Sequence, residues 1–223
     1  EMAHVFAFLY ALRYVDESGN VDRGHYLFQN KGCAACHGLE GRGSNAGPDL
    51  SKVGVDTPIA WAQAMWNHAP AMEARMKSAG VNWPRFDGQE MNDLLAYIQK
   101  VSQGPRREWD LFPANPDRGW KLFRSKGCLA CHSIQGEGGG NGPELGPNRE
   151  LPRTIVQFAG SMWNHSPGMW EAMKKQGVER PHFEGQEMAD LIAFLYRLRY
   201  FESAGSQQIG RTVFARRGCS RCH

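Results

Sequence analysis

The apolar positions of this chain recur with a helical period. In the segment Gly88 to Ile98, the residues Met91, Leu94, Leu95 and Ile98 fall at i, i+3, i+4 and i+7, which draws one apolar stripe along one helix face. The stripe returns in Gly185-Gln186-Glu187-Met188-Ala189-Asp190-Leu191-Ile192-Ala193-Phe194-Leu195. Glu1 to Tyr10 read as the same helix, closing a unit whose beginning is absent. No stretch shows a convincing strand pattern, so the patterning predicts an all-α fold.

The recurrence extends well beyond that helix. Arg23-Gly24-His25-Tyr26-Leu27-Phe28 matches Arg118-Gly119-Trp120-Lys121-Leu122-Phe123, and Gly210-Arg211-Thr212-Val213-Phe214 opens a further copy. A glycine-rich loop then ends in Gly47-Pro48-Asp49-Leu50 or Gly142-Pro143-Glu144-Leu145. Next come Met65-Trp66-Asn67-His68-Ala69-Pro70-Ala71-Met72 and Met162-Trp163-Asn164-His165-Ser166-Pro167-Gly168-Met169, where the prolines predict the start of a short helix. Self-similarity on this scale marks a repeat architecture. It predicts the closing helix of a preceding truncated unit over 1–19, full units over 20–104 and 118–205, a Pro/Gly linker over 105–117, and the opening of a truncated third unit over 206–223. The chain then reads as a window on a longer array, or as one whose copies complete each other head to tail.

Each copy of the opening segment runs into one motif. Lys31-Gly32-Cys33-Ala34-Ala35-Cys36-His37 returns as Lys126-Gly127-Cys128-Leu129-Ala130-Cys131-His132 and as Arg217-Gly218-Cys219-Ser220-Arg221-Cys222-His223. C-x-x-C-H is the attachment sequence of a c-type haem, in which two thiols form thioethers and the histidine ligates iron from the proximal side. A lone C-x-x-C is also half a zinc site or a thiol redox pair. Here all six cysteines fall in three motifs that each end in histidine, and the copies lie too far apart to pair as a zinc ribbon.

Composition narrows the picture further. No apolar run approaches the roughly 18 to 20 residues of a membrane span. The formal charge of +3 is small, the cations are scattered, and three haems would add propionates ionised near neutral pH. Nucleic acid is therefore not an expected partner. The loops Gly41-Arg42-Gly43 and Gly136-Glu137-Gly138-Gly139-Gly140 lack the G-K-[ST] ending of a phosphate loop. Because bacterial haem c is attached outside the cytoplasmic membrane, the expected location is periplasmic or extracellular.

On the haem motif, the G-P-x-L segment and the closing helix, each full unit resembles a class I c-type cytochrome domain, and the resemblance covers nearly the whole chain. It implies tandem class I cytochrome c-like domains in which the opening and closing helices cross at a small residue against an aromatic ring: Gly24 or Phe28 against Tyr97, and Gly119 or Phe123 against Phe194. It implies three covalent haems c on Cys33, Cys36, Cys128, Cys131, Cys219 and Cys222, with His37, His132 and His223 proximal. Pro48 and Pro143 would border the haem, the turn before them offering a carbonyl to the histidine Nδ1. Trp66 and Trp163 would pack on haem edges or in the core.

The distal ligand stays open at this point. The resemblance implies methionine, and the asparagine-to-methionine spacing favours Met72 and Met169, whereas counting back from the closing helix favours Met76 and Met173. The family's Met-Pro-x-Phe is replaced by Trp83-Pro84-Arg85-Phe86 and Arg180-Pro181-His182-Phe183. His68 and His165 are a third possibility, and His4, His25 and His182 read as surface or satisfied side chains. The expected function is electron transfer through a series of haems, with other redox proteins or neighbouring copies as partners. No acid, base or nucleophile cluster repeats with the units. The rivals are a haem enzyme with one open iron site and a filament-forming subunit.

Overall fold

The computed structural model describes residues 18–55, 57–104, 114–146, 152–200 and 207–219. Among them are seven α-helices: α1 (Val21–Asn30), α2 (Pro58–Ala79), α3 (Glu90–Val101), α4 (Pro116–Ser125), α5 (Ile155–Gln176), α6 (Glu187–Tyr200) and α7 (Gln207–Arg216). The expected helix in 1–17, the linker centre 105–113, His4 and the last motif residues Cys222 and His223 lie outside the described residues. The chain divides into two compact units, Glu1–Pro113 with Pro152–Met188, and Ala114–Leu151 with Ala189–His223. This division does not run between the repeats, because α5 groups with the first unit.

Helix starts follow the sequence. The Asn20 side chain accepts from the Arg23 amide, Asn115 from those of Asp117 and Arg118, and Thr57 and Thr154 cap α2 and α5 in the same way. Both long helices stop at a left-handed glycine, Gly80 (φ 66°) and Gly177 (φ 67°).

In the first unit α1 crosses α3 at Gly24, where a Cβ would stand 2.0 Å from the Asp93 carbonyl oxygen and 2.7 Å from Tyr97 Cβ. Phe28 meets the Tyr97 ring at 5.8 Å, and the stripe of Met91, Leu94, Leu95 and Ile98 is buried. In the second unit Gly119 repeats the crossing, 2.0 Å from the Asp190 oxygen and 2.6 Å from Phe194 Cβ, with the Phe123 and Phe194 rings 5.8 Å apart. Both crossings are those the sequence implied. Buried Asp190 accepts from the Asn115 amide at 2.6 Å and takes Arg118 in a two-pronged pair at 2.7 and 3.1 Å. Asp93 likewise accepts the Asn20 amide at 2.7 Å.

Two local expectations are corrected. Pro70 and Pro167 do not begin short helices; they lie inside the 22-residue helices α2 and α5. A proline there deprives the carbonyl four residues back of its donor. In α5 that carbonyl, Trp163 O, accepts instead from Ser166 Oγ at 2.8 Å and Trp83 Nε1 at 3.1 Å. A small hairpin also forms, with strands β1 (Ser133–Ile134) and β2 (Glu137–Gly138). Gln135 and Gly136 both have positive φ, 53° and 82°, which suits a tight two-residue turn. The first repeat makes the same turn at Glu40 and Gly41, closed by a single bridge from Leu39 to Arg42.

Candidate haem-attachment sites

Each site grows from the end of an opening helix. Lys31 caps α1, Gly32 turns left-handed at φ 84°, and a short 3₁₀ turn follows over Cys33–Ala35. The Cys36 and His37 amides both donate to the Cys33 carbonyl, at 3.1 and 2.9 Å, so one tight turn carries both thiols and the imidazole. The second repeat copies this with Gly127 at φ 78° and a turn over Cys128–Ala130. Gly218 takes the same conformation (φ 73°) ahead of exposed Cys219.

The imidazoles are held in one orientation. His37 Nδ1 lies 2.9 Å from the Pro48 carbonyl oxygen, and His132 Nδ1 lies 2.9 Å from that of Pro143. The acceptor is the proline's own carbonyl, where the sequence pointed to the turn before it. With its proton on Nδ1, each ring keeps the Nε2 lone pair for a metal. Glycine is required beside the ring, since a Cβ on Gly47 would come 2.8 Å from His37 Cε1 and one on Gly142 2.6 Å from His132 Nδ1.

A carboxylate that the sequence reading passed over braces each loop. Asp49, the x of G-P-x-L, accepts from the Gly41 amide at 2.7 Å and from the Ser51 amide and hydroxyl at 2.9 and 2.6 Å. The Ser51 hydroxyl first, then the Gly41 amide, bring its pKa down to about 2. Glu144 does the same work in the second repeat, taking the amides of Gln135, Gly136 and Gly146. Burial raises its pKa, but the Ser133 hydroxyl and the Gly136 amide outweigh that and hold it below the ordinary range. The signal was a carboxylate at the same place in both copies.

Burial pushes the Cys33 and Cys128 thiols up to about 11. Among the described residues no three His, Cys, Asp or Glu side chains converge to hold a metal ion by themselves. Two thiols and one oriented imidazole on a single turn fit a covalently attached haem.

The remaining candidates lie on the long helices. Met72 and Met76 on α2, and Met169 and Met173 on α5, are half-buried. The Nδ1 atoms of His68 and His165 lie 2.9 and 2.8 Å from the backbone carbonyls of Ala64 and Ser161. Trp66 and Trp163 are buried and donate through Nε1 to the carbonyls of Pro181 and Pro84, both at 2.7 Å.

Fold and site together define a helical protein built to hold porphyrin through thioethers. The cytochrome c family model matches residues 21–102 and again 116–199, and the chain belongs to the cytochrome c family. No curated protein matches it significantly. The family's chemistry is electron transfer by haem, here with attachment pairs at Cys33/Cys36 and Cys128/Cys131 inside the matched regions. Cytochrome c domains are typically extracytoplasmic, and among the described residues no helix is long and apolar enough to cross a membrane.

Proposed function

We propose that the protein is a multihaem electron carrier with three haems c, the third on Cys219, Cys222 and His223. The observation that carries this reading is the duplicated arrangement of imidazole and proline carbonyl, at 2.9 Å in both repeats. His37, His132 and His223 serve as proximal ligands, and Met72 and Met169 as distal ones, with Met76 and Met173 as the runners-up. Bound haem would supply the one-electron chemistry, and these histidine and methionine side chains would ligate its iron. Domains over 20–104 and 118–205 each carry one attachment site, and 206–223 begins a third. Partners are other redox proteins or further copies in a head-to-tail conduit, in a bacterial periplasm or outside the cell.

Mass spectrometry of the mature protein should show three covalently held haems, and a mass with only two removes the third site. Low-temperature EPR of the oxidised protein should show low-spin ferric iron, and its absorption spectrum a weak far-red band from thioether ligation. High-spin signals from intact protein would instead favour an enzyme with an open iron position.

The Nδ1 bond gives a smaller effect. In Gly142→Ala the new methyl displaces the His132 ring and breaks its bond to the Pro143 carbonyl. A less basic imidazole stabilises ferric iron less, so the potential of that haem should rise by ~40 mV, for a hydrogen bond contributing about 1 kcal/mol. A redox titration in which no haem moves upward would contradict this.

A further inference from the structure

The Trp-Asn pair of each long helix does not bind the X-Pro-X-Phe segment of its own repeat. Asn164 of α5 brackets Phe86: its Nδ2 donates to the Phe86 carbonyl at 2.6 Å, and its Oδ1 accepts the Phe86 amide at 2.9 Å. Trp163 donates to the Pro84 carbonyl at 2.7 Å and stacks on Trp83, ring centroids 4.0 Å apart. Asn67 of α2 makes the same bracket on Phe183, at 2.8 and 3.0 Å, while Trp66 donates to the Pro181 carbonyl. Trp170 stands between the two sets, 5.6 Å from Trp83 and 6.2 Å from Trp66.

The Pro84 to Phe86 segment then leads directly to the first attachment motif. Lys31, two residues before Cys33, donates to the Arg85 carbonyl, lies over the Phe86 ring at 5.2 Å and pairs with Glu90 at 2.7 Å. Val81 also neighbours the motif, its Cγ1 3.8 Å from where a Cβ on Gly32 would stand. Phe86 and Trp163 are buried, so the backbone groups that α5 satisfies there have little water to turn to.

Resting on the haem reading above, we propose that the repeats exchange these helices, making Trp163 and Asn164 of the second repeat positioning residues for the haem site at Cys33, Cys36 and His37. The environment of that haem is then set jointly by both repeats. A variant in α5 retunes an iron whose ligating histidine lies in the other repeat.

The test uses the full haem-loaded chain with Asn164→Ala and Asn164→Asp, the latter keeping the acceptor for the Phe86 amide but losing the donor to its carbonyl. Hydrogen exchange at the Phe86 amide should quicken roughly tenfold in the alanine variant. The NMR haem-methyl resonances of the Cys33/Cys36 haem should shift, with the aspartate variant intermediate. Unchanged protection at Phe86, or stationary resonances for that haem, overturns the proposal. If Asn164→Ala does not fold, Asn67→Ala read at the Phe183 amide decides between the same outcomes. Protein that binds no haem would sink the electron-carrier reading, and the Phe86 amide would then decide the exchange by itself.

Discussion

Gly24→Ala should destabilise the first unit by about 3 kcal/mol, the upper part of the range for overpacking. The added methyl would sit 2.0 Å from the Asp93 carbonyl oxygen, and that atom is backbone, so no side-chain rotation relieves the clash. α1 and α3 must move apart, which loosens Phe28 from Tyr97 and strains the Asn20 amide's bond to Asp93. On a total stability of roughly 5 to 15 kcal/mol this is a large fraction. The transition midpoint, followed by circular dichroism, should fall by about 10 °C. Gly168→Ala is the opposite case. It lies mid-helix in α5 with nothing within 4 Å of the new methyl, and should stabilise by about 1 kcal/mol through helix propensity. A Gly24→Ala protein as stable as the parent would mean that the two helices do not meet as described.

That crossing was legible through the family resemblance, which implies a small residue against an aromatic ring, and Gly24 with Tyr97 and Gly119 with Phe194 stand at matching places in the two repeats. The haem motif was legible for another reason: two thiols and a histidine must share one turn, so their chemistry fixes a spacing. The continuity of α2 and α5 was hidden, since proline is a strong local signal; in α5 its cost is offset by Ser166 beside it and by Trp83 far away in sequence. The hairpin was hidden because Gln135 takes a left-handed conformation that Asn, Asp or Gly ordinarily signals. Periodicity could never have told which asparagine meets which phenylalanine. Asn67 and Asn164 are interchangeable in local sequence, as are Phe86 and Phe183, and only the packing of α2 against α5 separates the two pairings.

Met72→Ala should convert one haem from low spin to high spin, or to a water ligand, and lower its potential. A thioether favours ferrous iron, so its loss favours ferric, by on the order of 100 mV within the roughly 0.8 V that axial ligands span. Met72 and Met76 lie one turn apart on α2, both half-buried, so helix geometry presents either to the same side. Their backbones differ: the Met76 carbonyl accepts the Val81 amide in the cap that ends the helix at Gly80, whereas Met72 lies well inside it. On the proposed assignment Met72 is the ligand, and Met76, whose backbone is tied into that cap, is not. Met76→Ala should therefore leave the far-red thioether band intact and cost only packing, as befits a flexible side chain filling space. The reverse outcome, with Met76→Ala going high spin and Met72→Ala unchanged, would move the assignment one turn along the helix, and Met169 would give way to Met173 by the same reasoning.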